Sequence, residues 1–337
     1  MTQVQTVLGP VDPADLGRVL PHEHLLALEP GPFAGDADVT DEDRVDRAVR
    51  ALRGLPERGY GTVVDVSPYG VVGRDDDGAN VVLLAEIARR SGMHVVSGTG
   101  LYLDTWTPGW AERASEDEVA ARLRADVASG IGATGIRAGV LGEQATSLGA
   151  MTEREERHLR AAARVAAETG LTLFTHTTHG TLAFDQIRML QDAGVDLGRV
   201  VVGHIDTQLS ASYALDVLAT GVSVAVDTIG KQEWDFFLGP PPVRDEPGEF
   251  VKNAFWRPDE GRADLVAEIV RAGYGDRVVL SMDVTGAETW MNADTHGRYG
   301  YTYLHDRFAP MLFERGVTAE QYDAMSIATP ARLLAVG

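Results

Sequence analysis

The chain predicts a (β/α)8 barrel, and three observations carry the prediction. Eight short β-type runs recur along its 337 residues, separated by segments with helical spacing. Several runs are continuously apolar, among them Val200-Val201-Val202 and Val278-Val279-Leu280, as strands buried on both faces of a parallel sheet are. No Gly-x-Gly-x-x-Gly follows the first run, which disfavours the competing doubly wound open sheet. The predicted architecture is α/β, a single TIM barrel over residues 1–337, with no tandem repeat, low-complexity tract or interdomain linker.

In chain order the predicted strands are Arg18 to His22, Gly61 to Ser67, His94 to Leu101, Gly135 to Leu141, Leu171 to His176, Arg199 to His204, Val222 to Asp227 and Arg277 to Asp283. The helices between them carry punctuation. Thr152 and Glu155 form a capping box that opens a helix running through Ala161, Val165 and Ala166 to a Gly170 stop. Leu182 to Ala193 reads as another helix, ending before Gly194. Two connections are long, from Thr228 to about Pro258 after strand seven and from Val284 to about Tyr301 after strand eight. Long loops on that face of a barrel shape substrate access.

Composition narrows the function. The 44% hydrophobic content suffices for a sizeable core. With 50 acidic against 30 basic residues the formal net charge is -20, which repels nucleic-acid phosphates and otherwise serves solubility. There is no cysteine, so disulfides, thiolate metal sites and a cysteine nucleophile are excluded, and any metal must be held by His, Asp or Glu. The first residues show no secretory pattern, and no apolar run approaches the roughly 18 to 20 residues needed to span a bilayer. A soluble, cytoplasmic protein without membrane or nucleic-acid partners is expected.

The histidines point to chemistry. In Leu20-Pro21-His22-Glu23-His24 a His-x-His pair ends the first strand, and residues two apart on a strand share a face. His176 and His204 end strands five and six, Asp283 ends strand eight, and Glu143 lies just past strand four. A lone buried histidine is usually a satisfied core residue, and a strand-end aspartate often caps a loop. Six such residues at strand ends around one opening are much harder to obtain by accident. Four imidazoles and two carboxylates make a ligand set for two divalent cations, with zinc preferred by this chemistry.

The other histidines read differently. His94 begins strand three at the opposite end of the barrel, and His158 on a charged helix reads as solvated. His179, three residues after His176, is placed to support a ligand, whereas His296 and His305 lie in or after the last loop. Lys231 after strand seven and Arg298 in the strand-eight loop are cations that can hold a carboxylate or phosphate away from the reacting bond, or simply be solvated.

At these residues the chain resembles the phosphotriesterase family of the amidohydrolase superfamily, from end to end. The resemblance runs through Thr6-Val7-Leu8-Gly9-Pro10, Pro21-His22-Glu23-His24, Val64-Asp65-Val66 with Gly73-Arg74-Asp75, and Gly98-Thr99-Gly100-Leu101-Tyr102. It continues through Gly135 to Glu143, Thr175-His176-Thr177, Gly203-His204-Ile205-Asp206, Ser281-Met282-Asp283 and Thr329-Pro330-Ala331-Arg332-Leu333-Leu334. The resemblance implies that His22, His24 and Asp283 bind a buried ion and that His176 and His204 bind a more exposed one. A strand-four carboxylate and a hydroxide would bridge the two. Many members use a carbamylated lysine as that bridge; here Gly142 occupies its place and Glu143 follows. One residue of offset reverses a side chain in a regular strand, so a bulge or the strand's end must re-aim Glu143. Tyr102 resembles a tyrosine of the family's lactonases, where it donates to the substrate carbonyl; its competing reading is a rim aromatic against Trp106.

Two ions typically ~3.5–4 Å apart activate a bridging water and polarise the bond under attack, with Asp283 taking the proton. The implied function is a binuclear-metal hydrolase in which a bridging hydroxide attacks a small lactone or related ester, with an anionic sugar lactone as one form. The alternatives are a phosphotriesterase, which would want an apolar pocket such as Trp234, Phe236, Phe237 and Leu238 can line, and a catalytically silent ligand-binding barrel. Relatives resembling this chain are often homodimers, so a homodimer is a further expectation.

Overall fold

The computed structural model describes residues 2–27, 39–208, 210–237, 252–284 and 296–337, and for 233–237, 252–256 and 296–297 the backbone only. A short antiparallel hairpin, β1 (Val4–Thr6) with β2 (Gly9–Val11), precedes the barrel and pairs Val4 with Val11. The eight barrel strands follow as β3 (Arg18–Glu23), β4 (Tyr60–Asp65), β5 (His94–Thr99), β6 (Val140–Thr146), β7 (Leu173–Thr177), β8 (Val200–Val202), β9 (Ser223–Val226) and, after the hairpin β10 (Glu233–Phe237) with β11 (Lys252–Trp256), β12 (Val278–Leu280). Barrel neighbours pair in parallel in chain order, with β3 at one edge and β12 at the other. The eight parallel strands form a nearly closed (β/α)8 barrel, as the sequence predicts.

Side-chain alternation divides the apolar residues between two cores. Val19, Val64, Val96, Val140, Phe174, Val201, Ala225 and Val279, one from each barrel strand, form a single buried cluster inside the barrel. Their neighbours Leu20, Val63, Val95, Leu141, Leu173, Val200, Val224 and Val278 belong to the larger cluster shared with the helices. Strands buried on both faces therefore read as unbroken apolar runs. Val4 and Leu16 from the N-terminal segment and Leu333 and Leu334 from the last helix join the inner cluster and plug the end where the strands begin.

The helices follow their caps. Between β6 and β7, α1 (Glu153–Thr169) opens on the predicted box, Thr152 accepting from the Glu155 amide, and ends at Gly170 with φ +68°. Glu155 is wholly buried and also accepts from the amides of Asp104 and Ser147, which ties the loops after β5 and β6 to the helix N-terminus. Between β7 and β8 lies α2 (Ala183–Asp192), and between β11 and β12 lies α3 (Asp259–Arg271). Among the described residues no helix is long and apolar enough to cross a membrane.

One boundary differs from the sequence reading. Strand four spans Val140–Thr146, not Gly135 to Leu141. Gly130, Gly132 and Gly135 all adopt positive φ, so the chain is still turning there, and the ladder starts only when the Gly139 amide reaches the Ser97 carbonyl at 2.9 Å. Glu143 therefore sits inside a strand rather than past its end.

The seam between β3 and β12 closes without a regular ladder. The Asp283 amide donates to the His22 carbonyl and the His24 amide to the Val284 carbonyl, each at 3.2 Å. Glu23, the middle residue of the His-x-His motif, completes the seam. Its carboxyl accepts from Ser281 Oγ at 2.8 Å, the Met282 amide at 3.0 Å and the Val284 amide at 2.9 Å. Burial pushes this carboxyl up to about 8 despite those donors.

Candidate metal centre

Where each ligand sits follows from the alternation. Inward positions advance by two, so Phe174 leads to His176, Ala225 to Asp227, and Val279 through Ser281 to Asp283. His22, His24, Glu143 and His204 lie one step off that count. The β3–β4 register shifts between Leu20 and Glu23, and the β6–β7 register between Leu141 and Gln144, which turns His22, His24 and Glu143 into the barrel mouth. His204 is turned in by its own left-handed backbone, φ +58°. Of the two devices the sequence allows for re-aiming Glu143, a bulge or the strand's end, the bulge is the one present.

Gly142 explains why the carboxylate comes from position 143. Its φ is +142°, and a Cβ there would lie 2.7 Å from the Phe174 carbonyl oxygen and 2.8 Å from Phe174 Cβ. A side chain at that point, a lysine included, would force this strand or Phe174 to shift.

The six residues converge as two triads, His22 with His24 and Asp283, and Glu143 with His176 and His204. Glu143 Oε1 is 2.7 Å from His176 Nδ1, 2.9 Å from His204 Nε2 and 3.5 Å from His22 Nε2, while Oε2 faces His24 Nε2 at 3.9 Å. One carboxylate thus stands between the two triads. Asp283 Oδ1 is 3.0 Å from His24 Nε2 and 3.6 Å from His22 Nε2.

Hydrogen bonds fix which ring nitrogens face inward. Ser67 Oγ donates to the Val72 carbonyl and so accepts from His24 Nδ1 at 2.9 Å, leaving Nε2 with its lone pair. Asp227 Oδ2 lies 3.0 Å from His22 Nδ1 and Oδ1 lies 3.0 Å from His204 Nδ1. Neither buried ring nitrogen of His22 has a hydrogen-bond partner, and His204 Nε2 is hydrogen-bonded to His176 Nδ1 at 2.8 Å. Imidazole nitrogens, one of them wholly buried and unpartnered, thus converge with two carboxylates, and a His/carboxylate donor set of this kind suits divalent zinc-like ions.

The electrostatics agree. Burial opposes charge on Glu143, yet His176 and His22 hold it well below the usual carboxylate range. For Asp283 burial is likewise overridden, by Lys231 and by His24. Burial lowers His22, but Asp227 and Glu143 raise it to about 10. His204 is raised likewise, against burial, by Asp227, whereas burial lowers His176. Carboxylates held ionised in so buried a place are a setting that favours positive charge between them.

Lys231 is in the site, its Nζ 2.7 Å from Asp283 Oδ2. The Tyr102 ring stacks on Trp106 with centroids 5.6 Å apart, as its rim reading expects, and its hydroxyl lies 3.2 Å from His176 Nδ1. Arg298 is not brought to this cluster; it is exposed, with its guanidinium over the Tyr299 ring. His305 lies against Tyr60 and Tyr322, at the end where β4 begins, far from a substrate role. His158 is buried, not solvated. His179, with φ +55°, is half-buried, and its ring is pushed down to about 4 by burial, Arg257 and the neighbouring His176 and His204. The side chains of His296, Trp234, Phe236 and Phe237, and all of Leu238, lie outside the described residues.

The residue that sequence reasoning missed is Asp227. Its signal was available, since it ends strand seven two residues after inward Ala225, as Asp283 ends strand eight. Ser67, at the end of the second barrel strand, was missed for lack of any such signal.

Comparison with known proteins gives the same picture. A sequence model of the Phosphotriesterase family matches residues 2–334. A phosphotriesterase homology protein of Escherichia coli is 30% identical over 316 residues, covering 94% of this chain and 97% of its own. The organophosphorus hydrolase of Deinococcus radiodurans superposes with a TM-score of 0.82 at 31% identity, over 98% of this chain and 96% of its own. A mutant of a PTE-like lactonase from the same organism superposes at 0.79 with 30% identity, over 98% and 99%.

Proposed function

The chain belongs to the phosphotriesterase family, and from that premise we propose a lactonase-type hydrolase that acts on small lactones or related esters, with phosphotriester hydrolysis as an incidental activity. That it is a hydrolase follows from the family; the substrate and the site assignments are the proposal. His22, His24 and Asp283 would hold one divalent ion, His176 and His204 the other, and Glu143 would join them. When bound, two such ions acidify a water and polarise the bond under attack. Zinc is the metal that the donors favour.

The chain's own residues supply the rest. Asp283 turns Oδ1 toward the histidines, and Oδ2 beside Lys231 keeps a lone pair that can take the proton given up by the water. Lys231 keeps that carboxyl ionised beforehand. The Tyr102 hydroxyl, at the His176 ring, is positioned to donate to a carbonyl oxygen as negative charge develops there.

The observation that carries the lactonase reading is Lys231 at Asp283. An ammonium in the mouth suits a substrate with an anionic or strongly polar group, and a neutral aromatic phosphotriester makes no use of it. The same Deinococcus relatives, named both as an organophosphorus hydrolase and as a lactonase, support a site that serves the two chemistries. The test is hydrolysis by zinc-loaded protein of acyl-homoserine, simple sugar and phosphorylated sugar lactones, with paraoxon alongside. Strong turnover of one lactone class with little of paraoxon is expected. Paraoxon turnover above every lactone would overturn the assignment.

A further inference from the structure

Asp227 stands outside these two triads and forms a third cluster with one histidine of each, His22 and His204. Its Oδ2 is 3.0 Å from Nδ1 of His22, in the first triad, and its Oδ1 is 3.0 Å from Nδ1 of His204, in the second. The His204 amide also donates to both oxygens, at 3.0 and 3.2 Å. Asp227 and His22 are wholly buried and His204 nearly so, which leaves no room for water to take the carboxylate's place. The Asp227 amide in turn donates to Asp206 Oδ1, and Asp206 is itself paired with Arg262 at 2.8 Å.

The carboxylate is hydrogen-bonded to His204 Nδ1 and in ion-pair contact with His22 Nδ1, so one rigid group bears on both rings and turns their Nε2 atoms toward the centre. His24 is supported differently, by Ser67, which holds that ring alone. We propose that Asp227 is a positioning residue that couples the loading of the two metal ions. An ion taken by the first triad fixes the His22 ring, and the rigid carboxylate transmits that orientation to His204, which is then set for the second ion. The coupling is reciprocal, as any linkage between two binding equilibria must be. This inference rests on the two-metal reading of the cluster but goes beyond it, since two ions could equally occupy independent sites.

The test is calorimetric titration of metal-free protein with Zn2+, and with Co2+ followed by visible absorption. Wild type is expected to take up two ions with the second bound no more weakly than the first. Asp227→Asn keeps the shape but offers an amide nitrogen to one of the two rings. It is expected to weaken both ions, each by about 10- to 100-fold, and to make uptake non-cooperative. Ser67→Ala is expected to weaken one ion and leave the other unchanged. Independent loading in wild type, or loss of a single ion in Asp227→Asn, would overturn the coupling. Failure of wild type to bind any ion would instead overturn the two-metal reading. The wild-type isotherm decides between coupled and independent loading by itself, so the test stands even where Asp227→Asn fails to fold.

Discussion

Lys231 is where a single side chain sets the character of the site. Its ammonium meets the one oxygen of Asp283 that the histidines leave open, in surroundings where both groups are largely shielded from water. A charge-assisted hydrogen bond of that kind contributes about 1.5–3 kcal/mol. Lys231→Met is therefore expected to retain both ions and to lose roughly ten- to a hundredfold in kcat/KM on anionic lactones, with a smaller loss on uncharged ones. Steady-state kinetics with metal content measured in parallel checks this, and equal losses on both substrate groups would remove the anion-binding role. His158 gives a pH-dependent test far from the metals. Burial, with Arg157 beside it, pushes this ring down to about 4 from its ordinary 6.5. The unfolded chain then binds more protons than the fold between those values, so stability falls as pH drops through that window. At pH 5 the loss relative to neutral pH is about 2 kcal/mol. Urea midpoints of His158→Leu are expected to fall less than those of wild type between pH 7 and pH 5, and parallel curves would place the titration elsewhere.

At the level of elements, the barrel strands build the core by regular alternation and the site by breaking it. His176 and Asp283 continue the count of two from Phe174 and Val279, so they were legible from the sequence. His22 and His24 were legible as a pair, because a shift of register moves both together. Glu143 demanded a bulge or the strand's end, and the glycine before it was the visible trace of the bulge. The start of strand four was not legible, since Gly135 to Gly139 carries the same small and apolar residues whether it is extended or still turning. Asp227 was legible by the same count, two residues after inward Ala225, but the ligand set was already complete without it, so its place at the end of strand seven was passed over. The hairpins β1–β2 and β10–β11 were missed because short strands leave little periodicity. The bulge in strand four can be tested directly. Gly142→Ala places a methyl group against the Phe174 carbonyl at a φ that L-residues avoid, and overpacking of this kind costs about 1–3 kcal/mol. Expected are a lowered melting temperature and reduced metal content, since the strand must shift and carry Glu143 with it. A variant of full stability that still binds two ions would show that the strand does not constrain the carboxylate.

For the whole molecule, the metal ligands are also a fastening of the barrel's open end. The strands that begin at the other end are tied by the plug of Val4, Leu16, Leu333 and Leu334 and by reciprocal bonds between Gln3 and Val336 at 2.8 and 2.9 Å. Among the described residues the end that carries the site has no such apolar plug. Its strands bring buried imidazoles and carboxylates together, and holding such groups away from water is costly without cations to satisfy them. The seam between β3 and β12 rests on Glu23 and two backbone bonds, and it carries His22, His24 and Asp283 on its two sides. Ions bound there would cross-link that seam and, through Glu143, the opposite wall. Because metal binds the folded chain and not the unfolded one, stability should rise by RT ln(1 + [M]/Kd), about 3–4 kcal/mol at a hundred to a thousand times Kd. For a chain of this size each kcal/mol moves the melting temperature by roughly 2 °C or a little less, so removal of metal should lower it by about 5–8 °C for each ion lost. Calorimetric scans of zinc-loaded and chelator-treated protein measure the shift, and restoring Zn2+ should reverse it. Asp283→Asn and Glu143→Gln, which weaken ligands on the two sides of the cluster, should shrink the zinc-dependent part while leaving the metal-free transition near its wild-type position. A zinc-dependent shift of the same size in both variants would mean that the ions stabilising the barrel are bound somewhere other than this mouth.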